Sequence, residues 1–310
     1  MRLRLATFNL ENLGIRSGEE SAQTRAWLAR HRVAVRETLQ RLDADAVAFQ
    51  ELLDPALLDD LLEGLGYPHR AVSPPAVSPL RLGVVSRHPL GHPAAEAAAA
   101  DLALTDDKTG MALRVKGPFS RPALRVVWEA PGLTVTLIVV HWKSKIPSFT
   151  PLRRVQGEAW GALGDVGEAR LLSEAKRLAQ ALEVRRAVDR LLAQDPAPHV
   201  AVLGDCNDLL ESECLRILRG DARACRSPGL APFELLPCEL AIPPGLRYTQ
   251  VYRGRPEMLD HVLISRSLLP HFEGARAYNE FLRDAEDGPE PGPWADFGSD
   301  HAPLVVTFRV

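Results

Sequence analysis

The run Val200-Ala201-Val202-Leu203-Gly204-Asp205-Cys206-Asn207-Asp208 passes from four apolar residues through a glycine into three carboxylate or amide side chains. An apolar run of this length fits a buried strand and is too short for an ordinary helix. Polar residues just past such a strand belong to a site more often than to a core. Working outward, other apolar segments end the same way. Residues 46–49 lead to Glu51, and residues 133–140 to His141. The opening segment 2–8 reaches Asn9, with Glu11 and Asn12 just beyond, and Asp300-His301 directly precede the final apolar stretch, 303–310. Strands that share a sheet edge bring such terminal residues together.

The rest of the chain supplies helices between these strands. Leu28, Val35, Leu39 and Leu42 recur at helical spacing and predict a helix over 21–42. A second helix is expected over 55–65, opened by Pro55 and closed by Gly64 or Gly66. Strands are expected over 80–86, 111–116, 124–129 and 133–140, the last two joined by a hairpin at Ala130-Pro131-Gly132. An irregular stretch runs to about 167, then a long helix over 168–194 carries Leu171, Ala175, Leu178, Ala179 and Leu182 on one stripe before Pro196 and Pro198. Strands over 199–203 and 259–264 follow. No linker-like break or internal repeat interrupts the chain. This alternation predicts an α/β layered sandwich of two packed sheets with helices outside, in a single domain over 1–310.

Composition narrows the function. The 310 residues carry 37 Lys+Arg against 40 Asp+Glu, a net charge of -3, which excludes a polybasic nucleic-acid wrapper. P-loop, dinucleotide-binding, nucleophile-elbow and zincin motifs do not occur. Cys206, Cys214, Cys225 and Cys238 form no C-x-x-C pair, so a structural zinc is not expected. Neither a membrane span nor a signal-peptide pattern is read, so free thiols and a cytoplasmic location are expected.

The strand-end residues are oxygen and nitrogen ligands without a thiolate, a set that suits Mg²⁺ or Mn²⁺. Such a cation stabilises charge in phosphoester hydrolysis, a carboxylate can orient or deprotonate water, and histidines and amides can bind phosphate oxygens. Singly, each residue has a plainer reading. Glu51 would suit a helix N-terminus, Asn9 would cap a turn, His141 would be a core histidine, Asp205 and Asn207 would make a polar turn, and Asp300-His301 would merely start a strand. Together and in this order they outweigh those readings.

At these residues the chain resembles the endonuclease/exonuclease/phosphatase superfamily, whose four-layered, DNase I-like α/β sandwich has two mainly antiparallel sheets flanked by helices. Thr7-Phe8-Asn9-Leu10-Glu11-Asn12 is similar to its opening motif, Phe49-Gln50-Glu51 to its "QE" motif, and Gly204-Asp205-Cys206-Asn207 to "GDxN". Leu259-Asp260-His261-Val262 is similar to "LDxv", and Ser299-Asp300-His301-Ala302-Pro303 to "SDHxP". Phe119 to Leu124 and His141 to Lys145 resemble bacterial secreted-nuclease-type members, with Trp142 and His261 as departures. The resemblance implies a Mg²⁺- or Mn²⁺-dependent phosphoesterase. Glu51, Asn9 and Asp300 would hold the metal, and Asp205 would act on water. His301, oriented by Asp260, would act at phosphate together with His141 and Asn207.

A nuclease is the leading expectation; a phosphatase or phosphodiesterase acting on inositol phosphate or sphingomyelin is the alternative. Lys143, Lys145, Arg153, Arg154 and Trp160 form a basic, aromatic-bearing stretch suited to tracking a phosphate backbone. Against nucleic acid stands the acidic loop 284–298. The expected partner is a nucleic acid or other phosphoester substrate, bound by a monomer.

Overall fold

A computed structural model describes residues 1–148, 160–194, 199–223, 226–280, 282–285 and 299–310. In chain order it forms β1 (Arg2–Leu13), α1 (Ala22–Leu42), β2 (Ala46–Leu52), α2 (Leu57–Leu62), β3 (His69–Val72), β4 (Arg81–Ser86), β5 (Leu90–Glu96), β6 (Ala99–Thr105), β7 (Ala112–Pro118), β8 (Ala123–Ala130) and β9 (Leu133–His141). Then come α3 (Leu163–Gln194), β10 (Val200–Asp205), α4 (Glu213–Arg219), β11 (Leu235–Pro237), β12 (Gln250–Tyr252), β13 (Arg255–Glu257), β14 (Asp260–Ser265), β15 (Phe272–Ala277) and β16 (Leu304–Arg309). One six-stranded sheet has the order β15-β16-β1-β2-β4-β3, the other β11-β14-β10-β9-β8-β5.

Each sheet contains one parallel pair, β1 with β2 and β9 with β10, and each pair is joined by a long helix, α1 or α3. A parallel pair needs such a crossover. The remaining pairings within the two sheets are antiparallel. Alternation along the strands divides the apolar side chains into layers. Leu3, Leu5, Val135, Leu137, Val139, Ala201, Leu203, Val262 and Ile264 fill the space between the sheets. Ala6, Phe8, Leu10, Val47 and Phe49 face outward onto α1 and α2. Ile138, Val140, Val200, Val202 and Leu263 face outward onto α3 and α4. The result is the expected four-layered sandwich.

Local signals set the helix ends. Ser21 caps α1 in a reciprocal box with Thr24. α2 is shorter than the expected 55–65, because residues 63–66 contain two positive-φ glycines, Gly64 and Gly66. α3 starts at Leu163 rather than 168, and the Asp165 carboxylate accepts from the Ala162 amide at that end. The thiols of Cys206, Cys214 and Cys238 are free and buried; Cys225 lies outside the described residues. No helix among the described residues is long and apolar enough to cross a membrane.

Candidate active site

Both inner faces turn polar at one end. Along β1 the inward series Leu3, Leu5 continues as Thr7 and Asn9. Along β9, Val139 is followed by His141, along β10 Leu203 by Asp205, and Val262 of β14 is preceded by Asp260. Asp205 lies opposite His141 on one side and Asp260 on the other, so these three residues form a row across the second sheet. In the first sheet, Asn9 pairs with Gln50 and Glu51 follows.

Glu51 reaches the cluster through a break in register. The β1–β2 ladder slips between Asn9 and Leu13, and the β2–β4 ladder between Phe49 and Leu52. Glu11, Asn12 and Glu51 take φ of 46°, 57° and 60°, left-handed conformations that cost on the order of 1 kcal/mol each. Hydrogen bonds offset this: the Asn12 amide donates to Glu51 Oε2 (3.0 Å) and the Glu11 amide to Asn9 Oδ1 (3.0 Å).

The cluster closes around Asp205. Asn9 Nδ2 donates to Asp205 Oδ2 (3.0 Å) and to Glu51 Oε1 (3.3 Å). The Asn207 amide donates to Asp205 Oδ1 (2.8 Å), and its side chain donates to Asp205 Oδ2 (2.9 Å) and the Trp142 carbonyl (3.2 Å). His141 Nε2 is 3.4 Å from Asp205 Oδ2 and 3.6 Å from Glu51 Oε1. His301 Nδ1 donates to Asp260 Oδ2 (2.7 Å). Its Nε2 lies 2.8 Å from the Gln250 amide nitrogen, which also donates to Asp300 Oδ2 (3.2 Å). Ser299 Oγ donates to the Asn9 carbonyl (2.8 Å), tying the His301 segment to β1.

Burial sets the electrostatics. It raises Asp205 to about 7, with His301 opposing and Asp260 adding to the rise. It likewise raises Glu51, with His301 opposing and Asp300 adding. Burial, Arg121 and His301 all push His141 well below the ordinary imidazole value, leaving it neutral. For His301, burial pulls down, but the hydrogen-bonded Asp260 carboxylate outweighs it and holds the imidazole well above its ordinary value. Arg121, whose Nη1 is 2.5 Å from His141 Nε2, and His301 supply positive charge at this cluster, yet the proton affinities of Glu51 and Asp205 stay raised, so a further cation would be favoured there. The sets Glu51–His141–Asp205 and Asp205–Asp260–His301 each bring their ligand atoms within 4.8 Å of one another and share Asp205. A third such set, Glu174–Asp208–Cys214, is already served by a cation: Arg177 pairs with Glu174 and lies 3.3 Å from Asp208 Oδ2.

Several neighbours are not legible as site residues from strand patterns. Arg121 places Nη1 2.8 Å from His141 Nδ1 and donates from Nη2 to the Trp142 carbonyl (3.0 Å). Gln250 reaches His301, and Arg283 pairs with Glu11, whose carboxylate also takes the Asp300 amide. The only sequence signal for Arg121 is its place in the Phe119–Leu124 stretch. Asp300 itself is engaged by Gln250 and belongs to none of the three-residue sets among the described residues.

The substrate candidates are partly committed elsewhere. Lys143 Nζ donates to the Ser144 carbonyl (3.0 Å) and the Ile146 carbonyl (2.7 Å) of its own loop. Burial, then Arg121, Lys176 and Arg177, lower it to about 8. Lys145 Nζ lies 3.4 Å from Asp208. Trp160 is half-buried just before α3. Arg153, Arg154 and most of the acidic loop 284–298 lie outside the described residues.

His261 stands outside the cluster, buried, with Nδ1 2.6 Å from Glu239 Oε1 and Nε2 2.9 Å from the Asp208 carbonyl. Burial pulls its pKa down and Glu239 more than restores it. Because the folded value is raised, the stabilisation is full below 6.5, the unfolded value, and is lost as pH rises through the folded value. Glu239→Gln is expected to cost about 3 kcal/mol at pH 6, read from the denaturant midpoint, with the deficit shrinking at high pH. An unchanged midpoint at pH 6 would count against this buried pair.

The fold and this cluster define a two-sheet α/β protein with a hard-ligand polar centre between its sheets. The chain belongs to the Endonuclease/Exonuclease/phosphatase family, whose model matches residues 6–301. Its members hydrolyse phosphoester bonds. No curated protein matches it. Among solved structures it is similar to truncated TDP2 of Caenorhabditis elegans, at 17% identity over 100% of this chain and 98% of that one, with a TM-score of 0.58. It is similar to the human nocturnin catalytic domain, solved with a bound sulfate anion (15%; 99% and 94%; 0.57). It is also similar to an AP endonuclease from Archaeoglobus fulgidus (16%; 99% and 100%; 0.54). At these identities the likeness is one of fold.

Proposed function

We propose that this protein is a Mg²⁺- or Mn²⁺-dependent phosphodiesterase that cleaves DNA or RNA. The observation that carries this reading is the convergence of Glu51, His141 and Asp205 from both sheets, a half-buried and a buried carboxylate meeting a neutral imidazole within 4.8 Å. Oxygen donors of this kind fit a hard divalent cation. Bound there, the cation would supply Lewis-acid stabilisation of charge on the phosphate. Glu51 would hold it, with Asn9 and Asp300 beside it.

The chain's own groups do the rest. Asp205 is fixed by three donated hydrogen bonds, and its raised proton affinity suits it to accept a proton from water. Asp260 fixes the His301 ring and raises its proton affinity; with the Gln250 amide turned so that its oxygen faces the ring, Nε2–H would meet the charge that develops on phosphate oxygen. His141, backed by Arg121, would meet another phosphate oxygen, and Asn207 would do so by releasing one of the two hydrogen bonds its Nδ2 gives to Asp205 and the Trp142 carbonyl.

Plasmid DNA, single-stranded DNA, RNA, sphingomyelin and inositol phosphates assayed side by side with Mg²⁺ or Mn²⁺ test the substrate class. Nucleic acid is expected to be cleaved fastest, with apparent affinity falling as salt rises. Turnover confined to sphingomyelin or inositol phosphates would transfer the assignment to a small-phosphoester hydrolase.

A further inference from the structure

The β12–β13 hairpin carries an aromatic ring and two arginines beside the candidate site. Its first residue, Gln250, already reaches His301. Strand side chains alternate, so Tyr252 projects from the same face as Gln250, about 7 Å further along the strand. Tyr252 pairs in register with Arg255, so that side chain shares the face as well. Tyr252 and Arg255 are exposed, and Tyr252 keeps 44% of its surface open. The Arg253 guanidinium lies 5.3 Å from the Tyr252 ring centroid.

The hairpin is held in place. Its tip, Arg253-Gly254, has φ of 52° and 69°, the two-residue turn that matches strand twist. The Asp284 carboxylate accepts the amides of Arg253 (3.0 Å) and Gly254 (2.6 Å). Arg283, next in the chain, pairs with Glu11 at the other side of the site. An exposed ring on a fixed strand, flanked by guanidinium groups, loses little freedom when a flat π-surface docks on it.

We infer that this hairpin is a nucleotide subsite: Tyr252 stacks on an unpaired base of the nucleotide next to the scissile phosphate, and Arg255 contacts a flanking phosphate. This rests on the nucleic-acid reading above and adds the preference for single-stranded or frayed substrate. Stacking on an aromatic is sequence-tolerant and lost on truncation to alanine.

The test is binding of a fluorescein-labelled single-stranded DNA oligonucleotide by fluorescence anisotropy in EDTA, with turnover of bis(p-nitrophenyl) phosphate measured in parallel with Mn²⁺. Tyr252→Ala is expected to weaken oligonucleotide binding about tenfold or more and to leave the saturating turnover of the small diester unchanged. Tyr252→Phe is expected to bind like wild type, because the ring and not the hydroxyl does the stacking. Unchanged binding by Tyr252→Ala, or equal weakening by Tyr252→Phe, overturns the subsite. Equal losses in binding and small-diester turnover also overturn it, since they mark a structural role. Should wild type turn over neither nucleic acid nor the small diester, the hydrolase reading fails by itself, and the anisotropy comparison still decides the subsite.

Discussion

Asp205→Asn is expected to lower phosphodiester cleavage about a thousandfold or more while the protein stays folded at the assay temperature. The two halves of this expectation share a cause. Asp205 is almost fully buried, and burial makes its charge costly, which is why its pKa rises to about 7. The amide replacement keeps the shape and one acceptor for the Asn207 amide, removes the charge and the proton acceptor, and turns an NH2 toward the donors Asn9 Nδ2 and Asn207 Nδ2. Catalysis loses its base outright, whereas the fold exchanges a costly buried charge for opposed donors, a net cost of about 1–3 kcal/mol. His301→Ala is expected to lose activity similarly, but it leaves Asp260 buried without its partner and so also costs stability. Steady-state rates and thermal melts on the same preparations check both variants. Wild-type rates from Asp205→Asn would remove Asp205 from the chemistry, and a collapse of its melting temperature would make the loss of activity a matter of folding.

Gly204→Ala is expected to be among the most destabilising single substitutions, at about 4 kcal/mol or more. Gly204 has φ +138°, a region side chains rarely enter, and an added Cβ would sit 2.0 Å from the Val140 carbonyl oxygen. That oxygen belongs to the adjacent β9 strand, where Val140 is the register partner of Gly204. No side-chain rotation relieves a clash with backbone; β9 and β10 must separate, at the level where they present His141 and Asp205. The loss is therefore expected in both the denaturant midpoint and the rate. A variant that folds and cleaves normally would show that the close approach of these strands is not required. The glycine ahead of Asp205 is thus explained by packing, whereas Asp205 itself is explained by chemistry.

Much of this was legible because one rule, alternation along a strand, governs both core and site. Leu3 and Leu5 leading to Asn9, Val139 leading to His141, and Leu203 leading to Asp205 can be followed in the sequence once the strands are recognised. Other strands escape that reading for local reasons. β5 contains Pro93 and a left-handed His92, and its pairing with β8 slips there. β15 carries Gly274 at a register break, and β11, β12 and β13 have three residues each, too few for a period to show. β3, of four residues, is nearly as short. The residues that support the cluster were hidden for a different reason. Arg121 lies between strands and Gln250 opens a three-residue strand that no apolar run announces, and only tertiary packing sets them against His141 and His301. Glu11 was visible beside Asn9, but its partner Arg283 is 272 residues away. The basic loop shows the converse. Lys143 and Lys145 read as open phosphate contacts in sequence, yet the fold turns them to loop carbonyls and to Asp208.

The most direct measurement is cleavage of bis(p-nitrophenyl) phosphate by protein stripped with EDTA and then titrated with Mn²⁺, for wild type and Glu51→Gln in parallel. Buried carboxylates gathered around one divalent cation predict no turnover in EDTA, recovery on adding Mn²⁺ to wild type, and little or no recovery in Glu51→Gln at the same concentration. Undiminished turnover in EDTA, or a Glu51→Gln protein that recovers along the wild-type curve, would contradict the metal-centred account.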